Sequence, residues 1–143
     1  MWTERVKEFH IGVGELIMAC QCIERDVKVI YASMLKGDFY ENYRSVERLA
    51  LGQTLMLLQT LDNSDEKPYF SAEEYRLLDR IRHIRNHWAH EAYARFVYKD
   101  GEAQVRAFEK EWKRLREERE RLGTLQRQTE KARFAVLKKY NRI

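Results

Sequence analysis

An all-α fold, an up-and-down bundle of four to five helices with a long C-terminal helix, is what this sequence predicts. Three observations carry that reading. Proline occurs once and glycine six times in 143 residues, so helix breakers are scarce. Apolar residues recur at alternating spacings of three and four, and no stretch shows the two-residue alternation of a half-buried strand. With 44% hydrophobic and 35% charged residues, the chain is long enough to bury a core without disulfides or metal, and residues 1–143 read as a single domain.

Phe9, Val13, Leu16, Cys20, Ile23, Val27, Ile30 and Met34 form one apolar stripe, which predicts a long first helix. Gly37 is placed to cap it, and Asp38 with Glu41 resembles a start signal for the next. That second helix, "YENYRSVERLALGQTLMLLQTLD", becomes apolar nearly all round from Leu49 to Leu61, which predicts contacts with both the core and a partner. After the polar connection "DNSDEKPYF", Ser71 and Glu74 make a capping box for a third helix, which "KDGE" closes near Gly101. In the last segment Val105, Phe108, Trp112, Leu115, Leu122, Val136 and Tyr140 hold a three-four rhythm interrupted by Arg119, Gln126, Thr129 and Arg133. Its first half is expected to pack on the bundle. The half beyond Gly123 is expected to bend away, to wrap a partner, or to dock through Phe134 and Val136.

The charge is uneven. Residues 101–143 carry 13 Lys and Arg against 7 Asp and Glu, while residues 1–100 carry 14 against 16. This basic C-terminal helical segment suits RNA or an acidic partner, and it also has the composition of a solvated face. Cys20 and Cys22 point in nearly opposite directions on a helix and cannot bridge within it, which favours a reducing, cytoplasmic setting. The N-terminal "MWTERVKEFH" has charges where a leader peptide needs an apolar core, and no uncharged apolar run reaches spanning length, so no membrane partner is expected.

The candidate site is "IRHIRNHWAHE", residues 81–91. At about 100° per residue, Leu77, Leu78, Ile81, Ile84, Trp88 and Ala92 fall on one side of the third helix, which predicts the core face. Measured from Ile81, His83, Asn86, His87 and His90 lie between about 140° and 240°, which predicts that no histidine enters the core. Arg85, at about 40°, flanks the apolar face. The i, i+4, i+7 spacing of His83, His87 and His90 can chelate a metal, yet no acidic residue clearly completes the set except Glu91 at its edge, and no metal or other cofactor is expected.

The unit "RNHWAHE", with Asn86 directly after Arg85 and His90 five positions on, resembles the R-N-x-x-x-H motif of the HEPN superfamily of helical-bundle proteins, many of them ribonucleases. The long first helix with its central Glu24 and the segment "LALGQTLMLLQTLD" are similar to the first two HEPN helices, so the resemblance spans about residues 5–100. It implies a HEPN-like bundle and a metal-independent endoribonuclease of toxin-antitoxin or phage-defence type. In that scheme RNA is cut by attack of its own 2′-OH at a composite site between two copies, and any antitoxin is encoded separately. Arg85 and His90 are then the catalytic residues, and Asn86, His87 and Glu24 support them. Arg82 and His83 extend the RNA-binding surface. The alternative is a non-catalytic HEPN-fold binding or regulatory protein acting through its dimer and its basic tail.

Overall fold

The computed structural model describes residues 2–143; Met1, the first residue of the N-terminal stretch read above, lies outside them. Among the described residues there are six α-helices and no strand: α1 (Trp2–Met34), α2 (Phe39–Glu47), α3 (Leu51–Asp62), α4 (Ala72–Asn86), α5 (Ala94–Val97) and α6 (Gly101–Lys139). A single π-helical turn, His87–Glu91, continues α4.

All eight residues of the predicted α1 stripe are buried, from Phe9 to Met34. The punctuation also acts as its chemistry dictates. Gly37 turns the chain out of α1 at φ +97°, and the Asp38 side chain accepts from Glu41 N at 3.0 Å. Ser71 and Glu74 exchange both capping-box bonds, at 3.1 and 2.8 Å.

The second helix is corrected. It breaks at residues 48–50 into α2 and α3, with Val46 and Leu51 buried on either side. The break has no side-chain cap of its own at Ala50; instead Lys28 of α1 donates to the Glu47 carbonyl at 2.7 Å and closes the end of α2. The chain reverses there, so α3 runs antiparallel to α4, with Gly52 near Asp79 and Arg82 and with Asp62 bonded to Tyr75.

This added reversal makes the first and last helices parallel. Gly12 meets Leu115, Glu15 pairs with Arg119, Asp26 with Arg133, and Arg142 donates to Leu35 and Gly37 carbonyls. A Cβ on Gly12 would come within 2.8 Å of the Leu115 side chain, so the two helices approach closely at that point. The segment beyond Gly123 neither bends nor projects. It stays helical and buries Leu125, Thr129, Ala132 and Val136, while Phe134 remains 58% exposed beneath the Arg133 guanidinium.

Asp62 organises the connection into α4. Fully buried, it accepts from Tyr69 N (2.8 Å), Phe70 N (3.1 Å) and Tyr75 Oη (2.6 Å). Asp62→Ala leaves these donors without an acceptor and is expected to lower stability by about 3 kcal/mol, read as a shifted midpoint in urea unfolding.

The two cysteines are free. Cys20 is buried; burial, and after it the nearby Glu24, push its thiol up to about 12, whereas Cys22 is exposed. At pH 8 a thiol reagent is therefore expected to label one site per folded chain, and Cys22→Ser should abolish that labelling until denaturant is added.

Candidate functional site

The motif sits where α4 ends and its helix widens. The amide of Ala92 donates to the carbonyl of His87 at 2.8 Å, an i→i+5 bond that accommodates one extra residue in the turn. The prediction that the histidines avoid the core is overturned for His87, which is only 4% exposed. Its Nε2 lies 2.8 Å from Glu111 and its Nδ1 3.4 Å from Glu91. The helical-wheel reading failed because it gave α4 a single covered face, whereas α6 covers a second side and presents Glu111 to the ring.

Trp88, next in the chain, is 1% exposed and donates through Nε1 to Glu118, which also accepts from Arg114 Nε at 3.0 Å. Glu111 and Glu118 are themselves buried. They belong to a buried seam on α6 of Phe108, Glu111, Leu115, Glu118, Leu122, Leu125, Thr129, Ala132 and Val136, which keeps strict three-four spacing. The two carboxylates stand about 10 Å apart along the helix and pin the π turn at successive residues.

Arg85 is half-buried and its guanidinium is ion-paired with Glu24 of α1. Cys20 and Glu118 are close enough that the Arg85 charge opposes, without cancelling, the upward push of both carboxylates on the Cys20 thiol. Asn86 and His90 are exposed, and His90 makes no hydrogen bond or ion pair with any described residue. Arg82 and His83 are also exposed, with Arg82 Nη2 3.5 Å from His83 Nε2. The structure thus joins Arg85 to Glu24, leaves Asn86 and His90 at the surface, and draws His87 away into the bundle.

The three motif histidines do not converge: among the described residues no group of three or more His, Cys, Asp or Glu side chains is arranged to hold a metal ion. No helix of the described residues is long and apolar enough to cross a membrane.

Sequence reasoning missed Glu111 and Glu118. The available signal was the three-four rhythm counted from Leu115, which lands on both glutamates. The apolar residues chosen instead, Val105 and Trp112, lie at the seam's edge, and Val105 is 46% exposed.

No family model matches the chain, and no curated protein or solved structure matches it.

Proposed function

We propose that this chain is a metal-independent endoribonuclease of toxin-antitoxin or phage-defence type, acting as a homodimer with HEPN chemistry. The placement of the motif carries the reading. Arg85 is held by Glu24 at the edge of the bundle, while Asn86 and His90 face solvent and His90 is engaged by none of the described residues. An exposed imidazole five residues along the same helical segment from an oriented guanidinium suits an extended, anionic substrate rather than a small molecule in a closed cavity.

In the proposed reaction His90 of one copy takes the proton from a ribose 2′-OH, whose oxygen attacks the adjacent phosphorus. The bond from phosphorus to the 5′ oxygen breaks, and His90 of the second copy protonates that leaving oxygen. A 2′,3′-cyclic phosphate and a 5′-hydroxyl result. Arg85 offsets the charge that grows on the phosphoryl oxygens, and Glu24 sets the orientation of its fork. Asn86 orients the His90 ring or donates to the phosphate. Arg82 and His83 contact flanking phosphates, and His87 supports the turn from inside, through Glu111.

The Arg85 to Glu24 pair favours one second reading, in which Arg85 is a strut between α1 and α4 in a non-catalytic binding or regulatory protein. The deciding experiment is cleavage of a mixed RNA pool in EDTA by the wild type, Arg85→Ala and His90→Ala, each checked for folding and dimer mass. Cleavage by the wild type alone supports the ribonuclease. Intact RNA with folded wild type rejects it.

A further inference from the structure

The region between α5 and the first turns of α6 holds a feature that the motif does not account for. An open groove of about 340 Å³ is lined by Arg95, Lys99, Arg106, Lys110, two alanines and Glu111. Four cations therefore share one concavity. Arg95 and Arg106 have only loose surface partners, Glu91 at 3.8 Å and Glu102 at 3.6 Å, and such exposed pairs are cheap to break. Lys99 and Lys110 pair with no described residue. The one acidic group on the wall, Glu111, is turned toward His87 in the interior. Its carboxylate is thus engaged by that ring, against four cations on the same wall.

We propose that this groove binds the phosphate backbone of single-stranded RNA beside the motif. Three features favour that ligand. Arg106 and Lys110 stand one turn apart, about 6 Å along α6, with Arg95 and Lys99 opposite on the α5 side, so the cations form a track rather than a point. The walls offer no large apolar side chain to anchor a lipid or an amphipathic peptide. Tyr98, adjacent to Lys99 and 89% exposed, supplies an aromatic surface on which a base stacks. The groove is tied to the motif through Glu91, the last residue of the π turn, which contacts both His87 and Arg95. RNA held here would continue from the phosphate at His90.

This proposal rests on the ribonuclease reading for its ligand, and binding tests it separately from cleavage. The probe is a fluorescently labelled, uncleavable 2′-O-methyl RNA, titrated by anisotropy over a range of KCl with the full chain. Single-strand binding weakens by about 0.7 of a decade per phosphate contact for each tenfold rise in salt, so Lys99→Gln with Lys110→Gln is expected to weaken binding about 25-fold at 0.1 M salt, relative to 1 M, and to flatten the salt slope by about 1.4. Tyr98→Ala is expected to weaken it about 5-fold or more with no change in slope. Neutralising Lys36 and Lys67, exposed lysines outside the groove, should leave both quantities nearly unchanged.

Equal losses from the two lysine pairs, or an unaltered slope in the groove variant, would overturn the groove even where RNA is still cut. Groove-dependent binding by a wild type that cuts nothing would keep the groove and discard the catalysis. Displacement of the probe by millimolar inorganic phosphate would mark a simple anion site and overturn the track.

Discussion

His90→Ala is expected to lower RNA cleavage by about 10²–10⁴-fold, the range typical of a removed general acid or base. Its stability should stay within about 0.5 kcal/mol of wild type, because the ring is exposed and bonded to none of the described residues. Function and fold therefore separate cleanly at this position. Arg85→Ala is expected to cost about 10²–10³-fold, and it also strands the Glu24 carboxylate, which is 18% exposed, so a stability loss accompanies it. Arg85→Lys discriminates between the two roles. A lysine can still neutralise Glu24 but cannot offer two parallel donors to a phosphate. Restored stability with cleavage still depressed supports phosphate recognition, whereas full activity in Arg85→Lys would reduce Arg85 to a strut. A substrate with 2′-deoxy at the cleaved position should survive the wild type under all conditions, since the attacking oxygen is gone.

The parts of the fold that were legible in the sequence are those decided locally. The α1 stripe repeats over seven turns with no competing polar residue, and Asp38, Ser71 and Glu74 act on amides three positions away. The division of the second helix was not legible, because no proline or side-chain cap marks residues 48–50 and the group that satisfies the new helix end, Lys28, comes from α1. One hidden reversal then changed the direction of everything after it, and α6 came to lie parallel with α1.

The candidate site divides in the same way. Exposure of Asn86 and His90 followed from helical angle, whereas Glu24 entered only through the resemblance, as a supporting residue, and its ion pair with Arg85 is read from the structure. Burial of His87 did not follow, because the wheel could not show that α6 covers a second side of α4, and because a histidine enters a core readily once a carboxylate awaits it. Glutamates at two seam positions, 111 and 118, were the sequence's only notice of that arrangement. Buried acids on an apolar seam are costly unless paired, so their presence already called for two donors from a facing helix.

Trp88 is the heavier of those two donors, and Trp88→Ala is expected to destabilise the protein by about 3–5 kcal/mol, lowering the melting temperature by roughly 10–15 °C. The indole is 1% exposed and packs against Phe9, with ring centroids 5.9 Å apart, inside an aromatic group that includes Phe96, Phe108 and Trp112. Two costs add in the alanine variant: a cavity where the rings meet, and a buried Glu118 carboxylate left with Arg114 alone. Trp88→Phe separates them. It restores most of the packing but not the hydrogen bond to Glu118, so about 1–3 kcal/mol should remain. Adding Glu118→Gln to Trp88→Phe removes the stranded charge and is expected to recover part of that residue, whereas the same change in the wild type should be destabilising. Calorimetry of the four proteins closes this double-mutant cycle. A cycle with no coupling would mean that Glu118 is held by Arg114 and solvent, and that Trp88 fixes the π turn by packing alone. Strong coupling makes the indole to carboxylate bond the pin that sets the turn, and with it the position of His90 two residues further on.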